Sequence, residues 1–153
     1  MIKAKFSNFY RRTLYALFTV SWVTGTAFFS LSRWFMVEGD FGPEKHPWQF
    51  PVLMAHGASA FLVMFFFGFI MASHVPITWK LKQIRTIGII LVSCVAFQMI
   101  SAYLLYYLAN EEIRDVVANL HALIGFLLPV VLTIHIIHAL RIRRKAKKIA
   151  MSY

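Results

Sequence analysis

Charge is scarce in this chain. Only 14 % of its 153 residues are Asp, Glu, Lys or Arg, against roughly a quarter in soluble domains. With 59 % apolar residues, too little polar surface exists to cover a water-exposed fold, so the composition is that of an integral membrane protein. Cysteine is scarcer still. Cys94 stands alone, which excludes an intrachain disulfide, a CxxC redox or zinc motif and a covalent CxxCH attachment site. It reads as a small apolar filler within a helix. Acidic residues number six, none of them inside a long apolar run. A Ser/His/Asp triad or a carboxylate acid–base pair therefore lacks its acid wherever the chain is apolar.

What the chain does have is four apolar runs of spanning length, within one domain, 1–153. They cover about Leu14–Phe35, Pro51–Val75, Ile84–Leu108 and Val116–Leu140, followed by a basic tail, 141–153. In lipid every backbone polar group must be satisfied internally, so runs of this length are helices. None shows a clean polar stripe, as expected for helices facing lipid on one side and apolar neighbours on the other. Short connections make sequential helices antiparallel. The expected fold is all-α, an integral membrane four-helix up-down bundle.

Charge sign gives the orientation. Lys3, Lys5, Arg11 and Arg12 precede the first run; Lys80 and Lys82 lie between the second and third, with Arg85 at the start of the third; Arg141, Arg143, Arg144, Lys145, Lys147 and Lys148 follow the fourth. No acid accompanies them. The other two connections hold Glu38, Asp40, Glu44, Glu111, Glu112 and Asp115, with only Arg33, Lys45 and Arg114. The positive-inside rule places both termini and the second connection of a multi-pass membrane protein in the cytoplasm. The net charge of +10 is then a topology signal and an anionic-lipid contact. No nucleic-acid motif accompanies it, so no nucleic-acid partner is expected. Trp34, Trp48 and Trp79 fall near the expected interfaces. The basic arm with Arg11-Arg12 before an apolar run resembles a secretion signal, but the run exceeds the 7–15 residues of a cleavable core, and a retained first helix is expected.

Histidine carries the chemistry. His56 and His74 lie eighteen residues apart in the second run, and His121 and His135 fourteen apart in the fourth. At about 100° per residue, eighteen steps make five whole turns and fourteen fall roughly 40° short of four. Each run thus turns two imidazoles toward nearly one side, at two depths. Ionisable side chains inside a membrane are costly and mark function, and imidazole is the usual axial ligand of protein-bound haem iron. Two pairs at two depths suit two haem b groups, with His56 and His121 outer and His74 and His135 inner. The axial spans differ, about 27 Å against about 21 Å, and helix tilt or a bend at Pro129 must absorb the difference. His138 is the alternative to His135; it matches the axial span better and the facing worse. His46, beside Pro47 and Trp48, reads as a solvated loop residue. Gly57, Gly125, Ala58, Ser59 and Ala60 offer room for a flat macrocycle beside the histidines, or simply close helix packing. Arg33 outside, and Arg11, Arg12, Arg85 or Arg141 inside, are candidate partners for propionates.

These residues resemble the four-helix di-haem core of membrane b-type cytochromes, as in the cytochrome b subunit of quinol–cytochrome c oxidoreductases. HALIGFLLPVVLTIH, His121 to His135, has that family's fourteen-residue ligand spacing; HGASAFLVMFFFGFIMASH, His56 to His74, departs from it. The eighteen-residue spacing, SAYLLYY at Ser101 to Tyr107 and Leu128-Pro129 are similar to a little-characterised group of small bacterial b-type cytochromes. The haem-binding gamma subunits of formate dehydrogenases and hydrogenases match less well, because they take a ligand from the first helix, which here has no histidine. The resemblance implies electron transfer between a quinone pool and a periplasmic or membrane redox partner.

Two other readings stay open at this point. One is a membrane metal-binding protein using His74, His135 and His138 for zinc or copper; the other is a structural or assembly subunit whose histidines only bond neighbouring helices. Gln98, Ser93, Ser101 and Tyr103 in the third run are available to a quinone, though ordinary interhelical bonding accounts for them more simply. The acidic connections read as solvated faces, with docking of a basic partner as the second use.

Overall fold

The computed structural model describes residues 7–79 and 82–151; Lys3, Lys5 and Lys80 lie outside them. The chain is mostly helical and all-α in class, and four of its helices are long and apolar enough to cross a membrane. The elements run α1 (Asn8–Arg33), β1 (Met36–Gly39), β2 (Gly42–Lys45), α2 (Gln49–Ser73), α3 (Val75–Thr78), α4 (Lys82–Tyr107) and α5 (Glu111–Ala150). They form two compact units, Met1–Ile77 and Thr78–Tyr153. Each unit is built on one helical hairpin.

In the first unit, α1 begins six residues before the expected Leu14. Ser7 caps it, its hydroxyl accepting from the Tyr10 N–H at 3.1 Å. Such a cap satisfies one of the four donors left over at a helix start, so Arg11 and Arg12 are helical rather than part of an arm. The hydroxyls of Thr19, Thr24, Thr26, Ser30 and Ser32 each donate to a carbonyl three or four residues back, at 2.7–2.9 Å. That removes their demand for outside partners, as an apolar medium requires. The connection to α2 holds a feature the apolar pattern does not announce: β1 and β2 pair antiparallel, Met36 with Lys45 through Gly39 with Gly42. Asp40 and Phe41 form the turn, and Gly42 takes φ +118°, a conformation open to glycine. Pro43 is tolerated because a two-stranded ribbon has only edges.

The α1–α2 pair is antiparallel. Tyr10 near the start of α1 donates its hydroxyl to the Phe66 carbonyl at 2.8 Å, and its ring lies 5.1 Å from those of Phe66 and Phe69. Further along α1, Ser21 meets His56. α2 stops at Ser73, ahead of the expected Val75, with His74 as its cap residue. Pro76 explains the break: it has no N–H to bond back to the Ala72 carbonyl, so α2 cannot run on unbroken and the chain restarts as α3.

In the second unit, α4 and α5 are joined by three residues, 108–110. Lys82 and Arg85 belong to α4 rather than to a loop, and the Arg85 guanidinium lies 5.6 Å over the Trp79 ring. Asn110 caps α5, its side chain accepting from the Ile113 N–H at 3.0 Å, with Glu111 and Glu112 in the first turn, where the helix dipole favours acids. α5 starts ahead of the expected Val116 and continues past Leu140 through the basic segment, 40 residues in all. At 1.5 Å per residue that is about 60 Å, twice the roughly 30 Å hydrocarbon layer. The basic tail is thus helical almost throughout. From Gly88 to Ser101 on α4, the facing residue on α5 runs from His135 back to His121, so this pair is antiparallel too.

Little of the apolar side-chain surface is buried within the protein. Among the described residues only Ile84 and Leu128 count as buried hydrophobics, while Phe61, Phe65, Ile100, Leu123 and Val130 are among many that stay exposed. Apolar exposure on this scale marks a surface meant for an apolar medium or a partner.

Candidate functional site

The first unit holds His56 and His74; the second holds His121, His135 and His138. His56 sits on α2, against α1. Its Nδ1 lies 2.9 Å from the Ser21 carbonyl oxygen. A carbonyl only accepts, so Nδ1 carries the proton and donates it. The other ring nitrogen, Nε2, then has the lone pair. This is the arrangement in which a histidine serves as a metal ligand: one nitrogen donates to a carbonyl, fixing tautomer and ring orientation, and the other faces the metal.

Gly25 makes the close approach possible. It lies one turn beyond Ser21, and a Cβ there would stand 2.8 Å from His56 Cε1 and 3.0 Å from Nδ1. Real Cβ atoms do not come so near, so the ring occupies space that any other residue would fill. Ser59, one turn along α2 and 5 % exposed, donates to the His56 carbonyl at 2.9 Å. His74, expected inside the second span, instead occupies the cap position of α2.

In the second unit His121 is held twice by α4. Its Nδ1 lies 2.8 Å from Ser101 Oγ, and its carbonyl accepts from Gln98 Nε2 at 2.9 Å. Gly125, one turn along α5, leaves room for the Gln98 amide; a Cβ there would lie 2.9 Å from Gln98 Nε2. Of the residues considered for a quinone, Ser101 and Gln98 thus bond across the hairpin. Tyr103 is exposed and stacks at 4.7 Å on Tyr107, and Ser93 is exposed. His135, fourteen residues after His121, faces α4 near Gly88, where a Cβ would be 3.7 Å from its Cε1, an ordinary contact. Its Nδ1 is buried with no hydrogen-bond partner among the described residues, an expensive state for an imidazole nitrogen. Gln98 Oε1 is in the same position.

His46 lies in the turn before α2 and its Nδ1 accepts from the Trp48 N–H at 3.2 Å, a local bond within a loop. Cys94 is free and half-buried on α4. Among the described residues no group of three or more His, Cys, Asp or Glu side chains is placed to hold a metal ion.

The histidines are legible in the sequence; their supports are not. Nothing in the first apolar run points Ser21 or Gly25 to a partner more than thirty residues away. Ser101 and Gln98 stand out as polar residues in an apolar run, but their target, His121, does not. No protein-family model matches this chain, and no curated protein and no solved structure matches it either.

Proposed function

We propose that this chain is a di-haem b-type cytochrome of the bacterial inner membrane, carrying electrons between a quinone pool and a redox partner on the periplasmic side. In this reading the four apolar helices cross the bilayer as an up-down bundle with both termini in the cytoplasm. His56 and His121 are the axial ligands of the outer haem, and His74 and His135 those of the inner one. Bound haem supplies a one-electron iron couple.

The observation that carries the proposal is His56. A histidine in an apolar helix donates from Nδ1 to a carbonyl of the neighbouring helix, in a notch that exists only because residue 25 lacks a side chain. The notch admits the ring and the carbonyl fixes its tautomer, the support that a ligating histidine calls for. Ring support from the neighbouring helix recurs at His121, and His135 has a buried Nδ1 with no hydrogen-bond partner among the described residues. The protein's task is to orient these rings, to exclude water around them and to keep them from lipid. The basic segments hold the orientation through anionic headgroups.

The deciding measurement is the cofactor content of the full chain purified from a haem-replete host. Two b-type haems per chain, with a Soret band and a reduced alpha band, are expected. A colourless preparation overturns the proposal.

A further inference from the structure

Ser101 is the most enclosed side chain among the described residues, at 2 % exposure. Its Oγ lies 2.7 Å from the Phe97 carbonyl oxygen and 3.2 Å from that of Gln98, both on its own helix, and 2.8 Å from His121 Nδ1. A hydroxyl has one proton to give. If it went to His121, the serine oxygen and the Phe97 oxygen would face each other at 2.7 Å with lone pairs only, a repulsive contact. The proton therefore goes to Phe97, with Gln98 as the weaker second acceptor, and the serine lone pair faces the imidazole. Nδ1 of His121 must then be the donor.

We propose that Ser101 is a positioning residue, its hydroxyl locking His121 in the Nδ1–H tautomer and so committing Nε2 as the ligating atom. This deepens the haem reading and rests on it for the identity of the ligand. The device differs from that at His56 in one respect. A carbonyl can only accept, whereas a serine can do either, and here the choice is made by the backbone of α4 one turn back. Gln98 completes the hold by fixing the His121 carbonyl from the same helix face, and Gly125 gives it room. Ring and backbone of His121 are thus referenced to α4 at two points, one turn apart.

The test reads the tautomer directly. The full chain, prepared without haem and labelled with nitrogen-15 at histidine, is examined in lipid nanodiscs. His121 resonances are identified by their loss in His121→Gln. The wild type is expected to show a protonated Nδ1 and an unprotonated Nε2 at His121. Ser101→Ala is expected to lose that single tautomer, and Ser101→Thr, which keeps the hydroxyl, to retain it. In haem-loaded protein, Ser101→Ala should hold one of two haems about 10- to 100-fold more weakly and the other unchanged, the usual cost of losing an outer-shell partner. An Nε2–H tautomer in the wild type, or an unchanged tautomer in Ser101→Ala, overturns the proposal while two haems per chain would leave the functional reading intact. The expected shifts in a protein that takes up no haem overturn that reading and with it the ligand role, leaving only the tautomer control.

Discussion

Each hairpin holds a histidine of its second helix against its first, and the two do so by different means. In the first unit the anchor is backbone: the Ser21 carbonyl accepts from His56, and the recess is the missing side chain of Gly25. In the second unit the anchor is side chain: Ser101 takes the ring and Gln98 the carbonyl of His121. A backbone anchor cannot be deleted by substitution, only displaced by volume. A side-chain anchor can be taken apart one group at a time. The first hairpin should therefore be insensitive to what residue 21 is and highly sensitive to the size of residue 25. The second should respond in steps.

The largest effect is expected from the histidines themselves. His56→Ala or His121→Ala should each reduce haem content from two to one per chain by pyridine haemochrome assay, leaving one redox step in a potentiometric titration. Loss of both haems in every such variant would point to general misfolding instead. Next comes Gly25→Ala. Its Cβ enters the ring of His56, and overpacking of this kind costs about 1–3 kcal/mol. The variant should unfold at lower temperature and lose the haem that His56 ligates, whereas Ser21→Ala should keep both, since the accepting oxygen is main chain. Equal behaviour of the two variants would remove the distinction between the hairpins.

Smaller changes are expected at the side-chain anchor. Gln98→Leu removes a single hydrogen bond, worth about 1 kcal/mol. Gly125→Ala pushes on the same amide, the end of a flexible side chain that can move away. Both should lower thermal stability slightly and retain two haems. The smallest effects belong to Gly88→Ala, whose Cβ would meet His135 at ordinary contact distance, and to His138→Ala. Stability in the former should stay within about 0.5 kcal/mol of the wild type. The latter should retain both haems; loss of the inner one would make His138, not His135, the ligand.

Helix number and kind were legible in advance because hydrophobic length is a local property of the chain. Ends were less so. α1 and α5 extend past their apolar stretches because Ser7 and Asn110 cap them and because charged residues such as Arg141 to Lys148 are good helix formers once a helix has begun. α2 ends early because Pro76 has no N–H to bond back to the Ala72 carbonyl. The β1–β2 ribbon is hard to read from the sequence because its four-residue strands show no apolar alternation, although Gly39 and Gly42 around Asp40-Phe41 are a turn signal. His56, His74, His121 and His135 stood out by residue type and spacing.

From its residues alone this chain declared four helices of membrane-spanning length and a set of histidines spaced along two of them, because length, hydropathy and periodicity need no knowledge of neighbours. Only the folded hairpins decided that His56 leans on a carbonyl beside a glycine and that Ser101 and Gln98 grip His121. Those pairings join residues twenty or more positions apart, and they arise from how two antiparallel helices come into register, which no single stretch of sequence contains.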